Sequence, residues 1–173
     1  RKLCHACSYS RRCARDVAVR QVGVHHLFRQ RHGIQCHQLG HKTENVSFLI
    51  ENGQASWYRN RYVDTPVYRK ESSGFGAPKP ENTTSAVSLL YHGGELMALG
   101  EFGYPYLINP HDLSTKGAFD YNGKLPGNMT AHPRIDPVTG ELLFFGYDVV
   151  EPYMTYMRAD ASGKMLQVEP ITM

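Results

Sequence analysis

The chain has 173 residues, of which 41% are hydrophobic and 20% charged, a balance typical of a globular protein with a packed core. No run of about eighteen apolar residues occurs, which excludes a transmembrane helix. The net charge of +3 is uneven, because residues 1–45 carry nine Lys or Arg against two acids and residues 46–173 carry ten against fourteen. The two parts are therefore interpreted separately, and the non-Met start at Arg1 suggests a fragment, a processed chain or a faulty gene model.

Residues 1–45 hold all four cysteines and six of the nine histidines. Cys4 and Cys7 have the two-residue gap that lets two thiolates bind one zinc ion, and Cys36 with His37 or His41 would complete four ligands. The second pair lacks the regular spacing of structural zinc sites. We predict an irregular segment here, disordered or not native coding sequence, with zinc binding as the alternative. The basic residues are expected to be solvated, with no nucleic acid bound.

From Val46 onward the pattern is antiparallel β, with short apolar runs separated by tight turns such as Asn52-Gly53 and Asp136–Gly140. Predicted strands cover 46–50, 55–63, 86–91, 95–99, 104–108, 117–121, 131–135, 141–147, 153–159 and 164–168. No long helical periodicity occurs. The two groups of about four strands within 86–121 and 131–171 fit blades of a β-propeller, and a β-sandwich is the structural alternative. We therefore predict an all-β protein with about two blades in 46–173.

Four segments of this second part resemble the carotenoid cleavage oxygenase family, which includes lignostilbene dioxygenases and retinoid isomerases. They are Asn52-Gly53 with Tyr58-Arg59-Asn60-Arg61, His92-Gly93-Gly94-Glu95 with Gly100-Glu101, Thr130-Ala131-His132-Pro133 with Asp136-Pro137, and Thr139-Gly140-Glu141 with Phe144-Phe145-Gly146-Tyr147. The resemblance implies a partial seven-bladed β-propeller. It also implies one Fe(II), held by four histidines from different blades without a carboxylate ligand, and glutamates that hold three of those histidines.

His132 matches the first iron ligand of that family. A neutral imidazole suits Fe(II), and Pro133 stiffens the backbone beside it. Outside the motif, a histidine on an ordinary strand would be the simpler interpretation. Glu101 matches a glutamate that contacts the outer N–H of a ligand histidine, expected to be a different one from His132; the simpler alternative is an exposed acid. His92 and His111 are expected to be solvent-exposed turn or loop residues.

The resemblance implies that the full-length parent uses O₂ to cleave a conjugated double bond of an apolar carotenoid, apocarotenoid or stilbene, giving carbonyl products. Because the other three ligands come from later blades, we expect this chain alone to be inactive. The alternatives are a non-catalytic partial propeller acting as an interaction module and a truncated gene product. For the parent we expect peripheral membrane contact and a cytoplasmic location, with an organelle as the alternative.

Overall fold

The computed structural model describes residues 17–20, 25–28, 32–39, 42–51, 54–71 and 79–172. This described part contains thirteen strands, and no helix in it could cross a membrane. In chain order the strands are β1 Val17–Arg20, β2 His25–Phe28, β3 His32–Leu39, β4 Lys42–Glu51, β5 Gln54–Tyr62, β6 Ser88–His92, β7 Glu95–Leu99, β8 Tyr106–Ile108, β9 Thr115–Ala118, β10 Arg134–Ile135, β11 Leu142–Tyr147, β12 Met154–Ala159 and β13 Met165–Ile171. The predicted all-β class is confirmed.

The first sheet has the order β2-β1-β3-β4-β5, antiparallel except for the β1–β3 pair. It differs from the irregular segment predicted for residues 1–45, and β4 runs across the boundary expected after residue 45. Backbone pairing explains the difference: only Gly40 and His41 separate β3 from β4 in the sequence, and eight consecutive residue pairs join the two strands. Hydrogen bonds between strands form without apolar periodicity. The irregular segment was predicted from the lack of that periodicity, so the prediction did not detect these strands.

The other two sheets are antiparallel, each with four strands in sequence order, β6-β7-β8-β9 and β10-β11-β12-β13. They match the two four-strand groups predicted from the turns. β9 begins earlier than predicted, and β10 is reduced to two residues. The reduction has a local cause: the Thr130 amide donates to the Phe145 carbonyl at 2.8 Å, and the Ala131 carbonyl accepts from the Ser88 hydroxyl at 2.6 Å. These residues connect the two sheets instead of extending one ladder.

The main core lies between these two sheets. One buried cluster contains Leu90, Met97 and Leu99 of the β6–β9 sheet together with Leu142 and Phe144 of the β10–β13 sheet. The β6–β9 sheet is also covered on its other face, by a second cluster that contains Leu89, Leu96, Ile108 and Val63. Burying each such side chain stabilises the fold by roughly 1.5–3 kcal/mol relative to exposure. Leu89 and Leu90, which are adjacent in β6, are therefore both buried, each in a different cluster. The two packed sheets support the loops at their two ends.

Candidate metal centre

The loop that carries His132 is fixed to both sheets before it enters β10. The Asn128 side chain accepts from the Gly103 amide at 2.7 Å and donates to the Tyr147 carbonyl at 2.9 Å. The Met129 amide donates to the Gly103 carbonyl at 3.1 Å. Buried polar groups that are satisfied in this way hold a backbone in one arrangement. The loop therefore reaches His132 with little freedom.

Gly146 is the point at which β11 approaches this loop most closely. A Cβ atom at this position would lie 1.9 Å from the Asn128 carbonyl oxygen. Backbone atoms cannot move aside cheaply, so the close approach requires glycine. The backbone of β11 therefore forms a wall against which the His132 loop rests.

His132 and Glu101 contact each other directly. The His132 Nε2 atom lies 2.8 Å from the Glu101 Oε1 atom, with side-chain exposures of 58% and 30%. The His132 amide also donates to the Thr130 hydroxyl at 3.1 Å. An exposed pair of this kind contributes little to stability, so its value lies in orientation. It gives the imidazole a carboxylate partner that fixes the position of its ring proton.

The second oxygen of Glu101 faces three further donors at longer distances. The Tyr147 hydroxyl lies 3.4 Å from Oε2, and the Thr130 hydroxyl and Ala131 amide each lie 3.5 Å from it. Burial raises the pKa of Tyr147, and the charge of Glu101 raises it further, so the hydroxyl keeps its proton and can donate. These weak contacts turn the carboxylate so that Oε1 faces His132.

Tyr147 is a residue of this site to which the sequence analysis gave no role, since it was noted only as the end of the Phe144-Phe145-Gly146-Tyr147 segment. The strand alternation of β11 offered a signal. Leu142, Phe144 and Gly146 are buried, whereas Tyr147 lies on the other face and is half-buried. Its ring packs edge-to-face against Phe102, the neighbour of Glu101, at 4.9 Å between centroids, and its hydroxyl lies near the Glu101 carboxylate.

The pairing of Glu101 with His132 differs from the expectation that this glutamate supports another histidine. Two other histidines, His92 and His111, occur in residues 54–71 and 79–172, and both lie away from Glu101. His111 is exposed in a loop, as predicted. His92 was expected to be exposed and is instead 6% exposed at the end of β6, because the β12–β13 turn packs over it. The roles of His132 and Glu101 toward a metal remain predictions.

The fit of an iron ion can be judged from the donors present. Within the described residues, no three His, Cys, Asp or Glu side chains cluster to hold a metal. Since Nε2 of His132 contacts Glu101, Nδ1 is the ring nitrogen that this arrangement leaves for a metal. The described residues thus offer one imidazole and one supporting carboxylate, and they do not make a complete site by themselves. The proposed zinc ligands Cys4, Cys7, Cys36, His37 and His41 lie outside the described side chains.

Comparisons with known proteins extend this description. A family model described as "RPE65: Retinal pigment epithelial membrane protein" matches residues 27–173. This match begins before Val46, the start of the resemblance expected from the sequence. Carotenoid 9,10(9',10')-cleavage dioxygenase 1 of Arabidopsis thaliana is 45% identical over 94 residues, which cover 53% of this chain and 18% of that protein. Resveratrol cleavage oxygenase 1 of Aspergillus fumigatus is 35% identical over 140 residues, covering 71% and 28%.

Among solved structures, the lignostilbene dioxygenase of Pseudomonas brassicacearum superposes with a TM-score of 0.61 at 30% sequence identity. The match covers 73% of this chain and 30% of that structure. The chain therefore spans less than a third of the length of each of these three proteins.

Proposed function

We propose, since this chain belongs to the RPE65 (retinal pigment epithelial membrane protein) family, that it forms part of a non-haem Fe(II) oxygenase. The family expected from the sequence motifs is thereby confirmed. The proposed reaction inserts both atoms of O₂ across one conjugated carbon–carbon double bond and breaks that bond, giving two carbonyl products. The names of two relatives support this class, because one cleaves carotenoids and the other resveratrol.

One observation carries the proposal for these residues: the 2.8 Å contact between His132 and Glu101, on a loop that both sheets hold. In the proposal, His132 supplies one of the iron ligands. Iron, when bound, would supply the site at which O₂ and the double bond meet. The part of this chain is to present an oriented imidazole whose second nitrogen is free, with Glu101 holding the ring and Tyr147 holding Glu101.

The two four-stranded sheets are proposed as two blades of a seven-bladed propeller. Their strand order, and the buried cluster between their faces, support this arrangement. The TM-score of 0.61 with the lignostilbene dioxygenase supports it as well. Iron ligands from other blades would then meet His132 at the end of the sheets where Glu101 lies.

An apolar substrate and peripheral contact with a membrane are further parts of the proposal. The connection between β11 and β12 exposes apolar side chains right after Tyr147: Val149 is 84% exposed, Val150 63% and Tyr153 46%. Neighbouring apolar side chains of this kind suit contact with lipid or with a polyene. Their position beside the His132 end supports a substrate that arrives from an apolar phase.

The proposal is tested by measuring iron in two proteins: the 173-residue chain, and a protein that joins it to the remaining length of its relatives. We expect near-stoichiometric iron and O₂-dependent cleavage of an apocarotenal or a stilbene only in the longer protein. His132→Ala should abolish both, and Glu101→Gln should lower iron affinity by about 10–100-fold. His111→Ala is the matched control, since His111 is an exposed loop residue.

Two outcomes would contradict the proposal. Iron and cleavage that survive His132→Ala in the longer protein would remove His132 from the ligand set. Near-stoichiometric iron in the 173-residue chain, lost on His132→Ala, would show that the ligands of this chain suffice. A longer protein that folds cooperatively, binds no iron and cleaves neither substrate would favour the alternative of a non-catalytic interaction module.

A further inference from the structure

The peptide unit that joins Ala131 to His132 lies outside the described strands, because β10 begins only at Arg134. Ala131 and Pro133 are buried, whereas the His132 side chain between them is 58% exposed. A buried backbone group that takes no part in a ladder needs another hydrogen-bond partner. The partners of this one peptide unit therefore decide in which direction the His132 side chain leaves the backbone.

Two hydroxyl groups are the partners of this peptide unit. The Ser88 hydroxyl donates to the Ala131 carbonyl oxygen at 2.6 Å, and the His132 amide donates to the Thr130 hydroxyl at 3.1 Å. Ser88 is the first residue of β6, a strand whose other end is His92, and it lies 43 residues before Ala131 in the sequence. Both polar groups of the unit are thus bonded, one to the β6–β9 sheet and one to the loop.

The two hydroxyl groups have fixed positions of their own. Ser88 is 3% exposed and is paired with Leu99 in the ladder between β6 and β7. Thr130 is 1% exposed, and its amide donates to the Phe145 carbonyl of β11 at 2.8 Å. Because its Oγ1 atom accepts from the His132 amide, its own hydrogen can face the Glu101 Oε2 atom, 3.5 Å away. Both sheets therefore determine where the peptide unit lies.

Pro133 limits the backbone of His132 from the other side. A proline ring clashes with a helical conformation of the residue before it and favours an extended one. The peptide unit before His132 is thus held by two hydroxyls, and the unit after it is restricted by the proline. The remaining freedom of the imidazole is rotation about its own side-chain bonds.

Ser85 provides a comparison within the same segment. It is fully buried, and its hydroxyl has no hydrogen-bond partner among the residues that the structure describes. Ser88, three positions later, has a partner at 2.6 Å, which is short even for a hydroxyl donor. A comparison of the two serines therefore separates the loss of this hydrogen bond from the mere removal of a buried oxygen atom.

We propose that Ser88 and Thr130 are positioning residues for His132, which together fix the Ala131–His132 peptide unit and so direct the imidazole. For the iron ion, this inference rests on the proposed function; the direction of the imidazole does not depend on it. Loss of either hydroxyl leaves one backbone group of the unit without its partner, and the unit then rotates to find another. A ligand side chain that has lost its fixed direction must be ordered when the metal binds, which weakens binding.

NMR of the 173-residue chain without iron tests the direction of the imidazole. In the wild-type chain, the Hα–Hβ couplings of His132 should show a single χ1 rotamer. Ser88→Ala and Thr130→Val should each average these couplings over several rotamers. Thr130→Ser keeps the hydroxyl and should restore the wild-type couplings, and Ser85→Ala is the matched control that should leave them unchanged.

Iron binding by the longer protein, which joins this chain to the remaining length of its relatives, is the second measurement. Ser88→Ala and Thr130→Val should each lower the iron affinity about tenfold, as the loss of a group that orients a metal ligand does. Thr130→Ser and Ser85→Ala should keep the wild-type affinity. Rescue by serine, but not by valine, at position 130 distinguishes the hydroxyl from the shape of the side chain.

Averaged couplings of His132 in the wild-type chain would overturn the proposal, and this measurement needs no variant to fold. A single rotamer that persists in both Ser88→Ala and Thr130→Val would overturn it as well. Equal losses of iron affinity in Ser85→Ala and Ser88→Ala would show that the hydrogen bond of Ser88 is not the cause. A longer wild-type protein without iron would contradict the proposed function, whereas the couplings of the iron-free chain would still decide whether the two hydroxyls direct His132.

Discussion

The two ends of the sheet pair each present one histidine, and their surroundings are opposite. His132 is 58% exposed and already has a carboxylate 2.8 Å away. His92 is 6% exposed, and its Nδ1 atom has no hydrogen-bond partner among the residues that the structure describes. An exposed imidazole that is oriented by a carboxylate is suited to ligands supplied by other parts of a protein. The buried imidazole of His92 instead joins two parts of the fold, because its Nε2 atom donates to the Gly140 carbonyl oxygen at 3.0 Å.

The two ends also join the sheets by different means. At the His132 end, the Asn128 side chain bridges Gly103 and Tyr147 by hydrogen bonds. At the His92 end, the backbones of Gly93 and Gly163 touch. The His132 end also has a direct backbone contact, because Gly146 lies against the Asn128 carbonyl oxygen. Direct backbone contacts tolerate smaller shifts than side-chain bridges do. Glycine substitutions at each end therefore test how much the close contact there contributes to the free energy of unfolding.

The largest effect is expected for Gly146→Ala at the His132 end. The new methyl group would overlap the Asn128 carbonyl oxygen, and the loop would have to move away from β11. Overpacking against backbone of this kind costs about 3 kcal/mol or more in free energy of unfolding. The urea midpoint should fall accordingly, and the Asn128 and Thr130 amides should lose protection from hydrogen exchange before those of β7.

Gly127→Ala is the matched control for that change, because a Cβ atom at Gly127 meets nothing within 4 Å. It should alter the free energy of unfolding by less than about 0.5 kcal/mol, as surface substitutions do. Equal losses for the two variants would show that the contact between β11 and the loop is not what holds His132 in place.

A smaller loss is expected for Gly93→Ala at the His92 end. The left-handed backbone costs a non-glycine residue about 1–2 kcal/mol, and separating the two turns adds to it. Gly94→Ala supplies the comparison, since it has a φ of +84° but nothing within 4 Å of the added Cβ atom. The difference between the two unfolding free energies isolates the contact between the sheets. A difference near zero would mean that the turns separate at no cost.

Turns and strands of this molecule were largely predictable, because each turn carries its own chemical signal. The sequence Asp136–Gly140 places β10 and β11 correctly, and the Asp136 carboxylate accepts from the Val138 and Thr139 amides as such turns require. In the first sheet, β4 and β5 were predicted but β1, β2 and β3 were missed, because their pairing depends on backbone hydrogen bonds between strands that lack apolar alternation. Local composition does not report such pairing.

The environments of the histidines were harder to predict than the strands. His92 is the last residue of β6 and stands immediately before two glycines, a pattern typical of an exposed turn. Its burial comes from Gly163 and its neighbours, more than sixty residues later in the chain. His132 was identified through its motif, but its contact with Glu101 depends on how β7 ends beside the His132 loop. Contacts between distant segments are what single-sequence patterns omit.

The smallest expected effect is a loss of stability in acid that starts at the His92 end. Hydrogen bonds from the Thr139 and Val138 amides lower the pKa of Asp136, and those from Ser162 and Lys164 lower the pKa of Asp160. A carboxyl whose pKa is lower in the folded state stabilises the fold above its ordinary value of 3.8. That contribution is lost as the pH falls below 3.8 toward the lower folded pKa.

Both carboxylates are exposed at turns, so the change is small and local. Amide exchange measured between about pH 5 and pH 2 should show the Val138, Ser162 and Lys164 amides opening before the Thr130 amide, which donates to a carbonyl that does not titrate there. Asp136→Asn with Asp160→Asn keeps an acceptor at each turn and removes its titration. If the amides of the double variant open in the same order in acid, titration of these two carboxylates does not cause that order. The difference between the two ends would then come from their packing.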